Sequence, residues 1–165
     1  MNIRDALESD LPAIIEIYNS TIACRSVTAD LAPVTVASRT AWFHSHTPAK
    51  HPLWIAETNN QTAGLLGFHA FYYGRPAYDA TAELSIDVAP SYRRQGVGRL
   101  LLQTAIEKSP SLGLKTLLGF IFAHNQPSLR LFEQFGFEQW GYLPGVAEFD
   151  QADRDLVIMG LRIRS

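Results

Sequence analysis

The hexapeptide Arg93-Arg94-Gln95-Gly96-Val97-Gly98 lies where a strand pattern ends and a helix pattern begins. Its glycines lack the side chains that would keep a ligand away from the backbone, so the amide N–H groups of this turn are open to an anion. The amino terminus of the following helix adds a partial positive charge, and Arg93, Arg94 and Arg99 add three cations. The stretch therefore predicts an anion site, with a phosphate group as its natural occupant.

The loop alone does not identify the phosphate ligand. No Gly-Lys-Ser or Gly-Lys-Thr follows it, as a P-loop requires. The third glycine of the dinucleotide fingerprint is absent, and the preceding strand is not the first of the chain. A tight turn with solvated arginines is the alternative that these six residues leave open.

Strand and helix patterns alternate on both sides of the loop. The predicted strands cover residues 3–6, 53–57, 63–71, 81–88, 116–122, 137–142 and 156–163. The predicted helices cover residues 11–18, 35–43 and 97–108, with a fourth that opens at Asn125 and closes at Gly136. No linker, repeat or low-complexity segment divides the chain, so we expect one domain of mixed α/β layers over residues 1–165.

Composition excludes several classes of protein. The chain has 165 residues, of which 47% are apolar and 18% charged, so disorder is excluded. A net charge of -2 argues against a nucleic-acid or anionic-membrane binder. With Cys24 as the only cysteine, and with His44 and His46 on different helix faces, we expect no metal site. The absence of a signal peptide and of a membrane-span pattern predicts a cytoplasmic protein.

Two segments of the chain together resemble the GNAT acetyltransferase superfamily. Residues 83–88 followed by the loop at 93–98 look like its motif A, and residues 125–137, Asn-Gln-Pro-Ser-Leu-Arg-Leu-Phe-Glu-Gln-Phe-Gly-Phe, look like its motif B. The resemblance implies a mixed, mainly antiparallel sheet of about seven strands with splayed central strands and about four flanking helices. It also implies that the loop amides hold the pyrophosphate of acetyl-CoA. The implied acetyl-CoA contacts are Ile86, Asp87, Val88, Arg93, Arg94, Gln95, Gly96, Val97, Gly98, Arg99, Asn125 and Ser128.

A narrower resemblance covers residues 6–18, 33–43 and 75–85, which look like the phosphinothricin and methionine-sulfoximine acetyltransferase branch. That branch acetylates the α-amino group of small amino acids and their analogues. The resemblance implies that Arg75 binds the substrate's carboxylate or phosphinate, that Glu83 is the general base, and that Ser85 lines the substrate pocket. It adds Tyr73 and Tyr78 as substrate contacts, and it suggests a homodimer.

The residue types support the role of Glu83 independently. An α-amino group is mostly protonated at neutral pH, so it must lose a proton before it attacks a thioester. A partly desolvated carboxylate on an interior strand has its pKa raised toward a useful value. Glu83 belongs to a polar stripe, and a stripe on an interior strand is unfavourable unless it faces a cavity. The alternative is a solvated face. The stripe consists of Thr81, Glu83, Ser85 and Asp87.

Three positions depart from the resemblance. Phe132 occupies the motif B position where many GNAT enzymes place a tyrosine as general acid, so water, Ser128 or direct thiolate release would have to serve. The acidic stretch Glu148-Phe149-Asp150-Gln151 replaces a basic stretch common in the branch, and Tyr73 replaces a lysine. These changes favour an acceptor less acidic than phosphinothricin.

The leading hypothesis is direct acetyl transfer from acetyl-CoA to a small amino-acid-like amine. Direct transfer follows from the lack of a Cys–His nucleophile pair, since Cys24 is far from both motifs in the sequence. The alternatives are a GNAT enzyme for another amine (a polyamine, an aminoglycoside or a protein N-terminus) and a non-catalytic acyl-CoA sensor. Glu83 favours an enzyme, because a sensor needs no base there.

Overall fold

The computed structural model describes residues 1–164, which form one mixed sheet flanked by helices. The strands are β1 (Asn2–Asp5), β2 (Leu53–Thr58), β3 (Gln61–Ala70), β4 (Thr81–Val88), β5 (Thr116–Phe122), β6 (Glu138–Phe149) and β7 (Ala152–Arg162). The α-helices are α1 (Leu11–Ser20), α2 (Val36–His44), α3 (Val97–Lys108) and α4 (Gln126–Gln134). The seven strands lie in the order β1-β2-β3-β4-β5-β7-β6. This confirms the predicted fold and the predicted order of its elements.

Local sequence explains where the helices and one hairpin begin. Thr35 caps α2, since its side chain accepts a hydrogen bond from the backbone N–H of Ser38 at 3.1 Å. Asn125 caps α4 by accepting from the N–H of Ser128 at 3.4 Å. Asn59 and Asn60 join β2 to β3, and both adopt left-handed backbone angles (φ 52° and 60°), as a tight hairpin turn requires.

The two central strands run parallel and separate after a short contact. The pairing of β4 with β5 covers Thr81–Thr116, Ala82–Leu117 and Glu83–Leu118. Beyond these pairs β4 stays bonded to β3, and β5 stays bonded to β7. The sheet therefore splits between β4 and β5 while its outer parts remain intact, as the splayed strands of the prediction require.

The core lies on both faces of the sheet. One face packs α3 and α4 against the central strands around Leu101, Leu102 and Leu117, all with no exposed surface. The other face packs α1 against β2 and β3 around Ile14, Ile55 and Leu65. The polar stripe of β4 shares its face with Leu65, because Leu65 is the cross-strand partner of Asp87. The stripe therefore points toward α1 and α2.

The last hairpin is longer than predicted. We expected strands over residues 137–142 and 156–163, but β6 and β7 continue to a two-residue turn at Asp150 and Gln151 (φ 50° and 68°). The register shifts between Leu143 and Ala147, and most of β6 is exposed. An exposed, irregular strand carries no polarity alternation, which is why the sequence pattern did not reveal it.

Candidate active site

One large cleft of about 1030 Å³ occupies the split in the sheet. Its walls come from β4, from the loop that leads into α3, from the start of α4 and from α1 with the segment after it. The two predicted motifs therefore line a single space. Beyond Glu83, the facing edges of β4 and β5 are not paired with each other, so their backbone N–H and C=O groups can bond a ligand.

The predicted anion loop forms one end of this cleft. Gly96 adopts a left-handed conformation (φ 82°, ψ 11°) as the N-cap of α3, which favours glycine there. The first helical turn closes with the bond from Leu100 N to Gly96 O at 3.0 Å, so the N–H groups before Leu100 are open to a ligand. Among residues 1–164, neither Arg93 nor Arg94 takes part in a salt bridge. This end is suited to a pyrophosphate.

Two residues of the predicted coenzyme set have other contacts. Arg99 lines the cleft, but its guanidinium donates to Gln134 at 2.9 Å and lies over the ring of Phe135, so it also ties α3 to α4. Gln95 donates to the carbonyl of Ser91 at 3.0 Å and does not contribute to the cleft wall. The other ten predicted coenzyme residues all line the cleft. They are Ile86, Asp87, Val88, Arg93, Arg94, Gly96, Val97, Gly98, Asn125 and Ser128.

Three of the four residues of the polar stripe on β4 line the cleft: Glu83, Ser85 and Asp87. Burial raises the pKa of the Glu83 carboxyl above its ordinary value of 4.5. Burial also raises the pKa of Asp87, to about 6. Ser85 lies between them and lines the same wall. The cavity that the stripe requires is therefore present, and Glu83 has the environment of a general base.

His69 is a site residue that the sequence analysis missed. It lies on β3 directly opposite Glu83, lines the cleft and shares a hydrogen bond of 2.7 Å between its Nε2 and the hydroxyl of Ser85. Burial lowers the pKa of the His69 imidazole to about 4. The sequence placed His69 two positions after Gly67 on a predicted strand. It did not give the register in which this strand pairs with β4, so the contact between His69 and Ser85 could not be predicted.

A second missed group lies on the α1–α2 side of the cleft. Tyr18, Thr28 and Arg39 line this wall, and Asp30 holds them together. Asp30 accepts from Arg39 at 2.7 Å and from the hydroxyl of Tyr18, and the Arg39 guanidinium lies 5.0 Å from the centre of the Tyr18 ring. Arg39 is thus a cation placed inside the cleft wall.

The segment after α1 folds across the start of α4. Asn125 donates to the carbonyl of Ser26 at 3.0 Å, and His124 is bonded to the carbonyl of Arg25 at 2.7 Å. These contacts bring Cys24 to the wall of the cleft that Asn125 also lines. Cys24 is thus far from the motifs in the sequence but lines the same cleft, because a loop contact spans about a hundred residues of sequence.

Phe132 is a core residue that also contributes to the cleft wall, as Ser128 does. Only 4% of its surface is exposed, and its ring packs 4.8 Å from that of Phe137. A Cβ at Gly119 would come within 2.7 Å of the Phe132 ring, so the glycine makes room for the ring. Phe132 therefore has a packing role at the position where we noted the missing general acid. Ser128, one turn earlier on α4, also lines the cleft.

Three predicted substrate contacts lie outside the cleft wall. Tyr73, Arg75 and Tyr78 are exposed on the loop between β3 and β4, and Tyr73 is 92% exposed. Tyr73 has a left-handed backbone (φ 65°) within this loop. The loop joins β4 just before Glu83, so it borders the site without entering it. The assignment of these three residues to the substrate stays a prediction.

The described residues were also compared with the requirements of a metal site and of a membrane-spanning helix. Within residues 1–164, no group of three or more His, Cys, Asp or Glu side chains is arranged to hold a metal ion. No helix in this part of the chain is long and apolar enough to cross a membrane.

Comparison with known proteins identifies the family. The model of the acetyltransferase (GNAT) family matches residues 14–137. YwnH of Bacillus subtilis, provisionally named a phosphinothricin acetyltransferase, is 50% identical over 161 residues, which cover 97% of this chain and 98% of that protein. The L-methionine sulfoximine/L-methionine sulfone acetyltransferase of Pseudomonas aeruginosa is 32% identical over 164 residues, which cover 98% of this chain and 94% of that protein.

A solved structure agrees with these relatives. The GNAT superfamily phosphinothricin acetyltransferase of Sinorhizobium meliloti, solved in complex with acetyl-CoA, superposes with a TM-score of 0.92 and 26% sequence identity. The match covers 98% of this chain and 88% of that chain. Because the family model matches residues 14–137 and these relatives cover nearly the whole chain, this chain belongs to the acetyltransferase (GNAT) family of N-acetyltransferases.

Proposed function

We propose that this enzyme transfers the acetyl group of acetyl-CoA directly to the α-amino group of a small amino acid or amino-acid analogue. The observation that carries the proposal is the half-buried Glu83 carboxylate on the wall of the cleft that ends at the anion loop. A base and a phosphate site thus share one space. The names of the relatives make phosphinothricin, methionine sulfoximine and methionine sulfone the first acceptors to test.

The donor end of the cleft suits acetyl-CoA. The open N–H groups at the start of α3 and the two cations Arg93 and Arg94 would hold the pyrophosphate. The split between β4 and β5 offers unpaired backbone groups to the amide-bearing arm of the coenzyme. The size of the cleft, about 1030 Å³, suits a ligand of this length together with a small acceptor.

The acceptor is mostly an ammonium ion at neutral pH, so two protons must leave its nitrogen, one before the attack and one after it. Glu83, directly or through a water molecule, accepts the first proton and releases it to solvent, and it accepts the second proton once the nitrogen has bonded to carbon. The nitrogen bonds to the thioester carbon, the carbon–sulfur bond breaks, and CoA leaves as a thiolate. Because Phe132 cannot donate a proton, we assign protonation of the thiolate to water or to Ser128.

Direct transfer is favoured over a covalent enzyme intermediate by the surroundings of Cys24. Its thiol donates to the carbonyl of Thr21 at 3.0 Å, and within residues 1–164 no histidine is hydrogen-bonded to it. A nucleophilic cysteine needs such a base, or another group that stabilises its thiolate. Cys24 is therefore a wall residue in this proposal.

The test is a thiol-release assay with acetyl-CoA and a panel of acceptors. The panel contains methionine sulfone, methionine sulfoximine, phosphinothricin, neutral amino acids, spermidine and an aminoglycoside. We expect release of CoA with the amino-acid group only. Release with spermidine or the aminoglycoside would move the assignment to another amine, and acetyl-CoA binding without release on any acceptor would favour a sensor.

Two further expectations remain proposals, a homodimer and a cytoplasmic location. The exposed aromatic side chains of Tyr72, Tyr73 and Tyr78 support the homodimer, since Tyr72 packs against both of the others and leaves an apolar surface. Sedimentation of the purified protein tests it, with the monomer mass as the contrary result.

A further inference from the structure

His69 and Ser85 form a pair that the sheet is built to accommodate. The imidazole Nε2 lies 2.7 Å from the Ser85 hydroxyl across β3 and β4. Gly67 is the direct cross-strand partner of Ser85, and a Cβ on Gly67 would lie 2.9 Å from Nε2 of His69 and 3.2 Å from the Ser85 hydroxyl. Any larger residue at position 67 would push the pair apart. The glycine therefore leaves the space in which the pair forms.

Other rings hold the imidazole in place from the α2 side. The ring of His46 packs edge-on against that of His69 at 5.1 Å, and Trp42 packs against His46 at 4.9 Å. His69 thus has a fixed position between this aromatic layer and the cleft. Its cross-strand partner is Glu83, so the pair lies beside the proposed base.

The imidazole itself is a poor base for the reaction. Burial and the neighbouring His46 and His51 lower its pKa to about 4, so it is neutral near pH 7. Glu83, with its raised pKa, remains the group that accepts the proton. What a neutral imidazole can do is accept one hydrogen bond at one nitrogen and donate at the other.

We propose that His69 is a positioning residue that orients the Ser85 hydroxyl as a hydrogen-bond acceptor for the incoming amine and so makes the enzyme selective for primary amines. In this arrangement Ser85 donates its proton to Nε2 of His69. The oxygen lone pairs of Ser85 then face the cleft beside Glu83. The inference rests on the proposed function, because it concerns the acceptor amine of that reaction.

The selectivity follows from counting protons on nitrogen. After a primary amine attacks the thioester, its nitrogen carries two protons, one for Glu83 and one for Ser85. A secondary amine carries only one at that point, so the Ser85 oxygen is left without a donor. A buried polar group left unsatisfied lowers the rate by about 10- to 100-fold.

The test compares L-methionine sulfone with its N-methyl derivative in four proteins: wild type, His69→Phe, His69→Gln and Ser85→Ala. For the wild type, we expect kcat/KM to favour the primary amine by about 10-fold or more. In His69→Phe and Ser85→Ala, this ratio should fall to about 2- to 3-fold, while the affinity for acetyl-CoA stays the same. Gln at position 69 offers an acceptor oxygen and should restore part of the ratio. Because the side chains of His and Phe are similar in shape, any steric effect of the methyl group should be similar in wild type and His69→Phe.

A second measurement needs no acceptor. ¹⁵N NMR of the labelled protein reports whether Nε2 of His69 is unprotonated, as expected, and Ser85→Ala should shift its resonance. A protonated Nε2, or an unchanged selectivity ratio in His69→Phe, would overturn the inference and leave the acetyltransferase proposal standing. No turnover of any amino acid in the wild type would overturn the proposed function itself and, with it, this selectivity.

Discussion

Glu83 of β4 and Leu118 of β5 form the last residue pair between the two central strands, and the strands separate directly beyond it. The pair fixes the backbone of Glu83 while the side chain faces the cleft. Desolvation by the surrounding protein is the cause of its raised pKa. The end of the β4–β5 pairing at Glu83 and Leu118 therefore both opens the cleft and places the proposed base on its wall.

Replacing Glu83 with Gln tests the base. We expect turnover to fall by about 100-fold or more, because Gln cannot accept the proton of the amine. The raised pKa of Glu83 predicts that the wild-type rate increases with pH as this carboxyl ionises, and the variant should lose that limb of the profile. Glu133→Gln, at an exposed position on α4, is the matched control and should behave as wild type. Normal turnover in Glu83→Gln would remove this residue from the mechanism.

Alanine substitutions at Gly96 and Gly113 separate backbone strain from coenzyme binding. Both glycines have left-handed φ values (82° and 73°), and a Cβ at either would meet no atom within 4 Å. Each substitution should lower stability by about 1–2 kcal/mol, because alanine is strained there. Only Gly96→Ala should also weaken acetyl-CoA binding, measured by calorimetry. Equal affinity in the two variants would argue against the loop as the pyrophosphate site.

Substitutions at Arg75 and Arg39 test which of these residues binds the carboxylate of the acceptor. The resemblance to the phosphinothricin branch predicts that Arg75→Ala raises the amino-acid KM by about 10-fold with little change in kcat. The structure places Arg75 on the exposed loop and Arg39 on the cleft wall, so Arg39→Gln is the informative companion. A rise in KM confined to Arg39→Gln would move the carboxylate site to the α1–α2 side.

Asp87→Asn probes the buried carboxyl through stability. The folded-state pKa of Asp87 is raised to about 6 from 3.8, so the native state binds its proton more tightly than the unfolded state. The stability contributed by this proton is fully present below pH 3.8 and is lost as pH rises through about 6. Asn stays neutral, so the variant should be more stable than wild type at pH 8, by at most about 3 kcal/mol, and nearly equal at pH 4.

Thermal unfolding without ligand, at several pH values, measures this difference. Asp153→Asn is the control, since Asp153 is exposed on β7. Because the pKa of His69 is lowered, this residue makes the free energy of unfolding rise with pH, which is opposite to the effect of Asp87. The contribution of His69 is the same in wild type and variant, so it cancels in the comparison. A variant that is no more stable than wild type at pH 8 would show that Asp87 is satisfied when ionised.

Cys24→Ala tests direct transfer. Cys24 lines the cleft but lacks a hydrogen-bonded histidine within the described chain, so we expect kcat within about 2-fold of wild type. Steady-state kinetics with both substrates varied should give intersecting lines. Parallel lines, together with an inactive variant, would indicate an acetylated cysteine.

The sequence by itself determined the order of the elements, the anion loop and the placement of Glu83 on a polar stripe. These features are local: polarity periods, helix caps and a glycine turn depend on neighbouring residues. Only the tertiary structure brought His69 to Ser85, and Arg39 and Cys24 to the cleft wall. Strand register and loop packing decide those contacts, and they depend on residues far apart in the chain. The same long-range packing left Tyr73 and Arg75 outside the cleft, where the motif alone had suggested contact with the substrate.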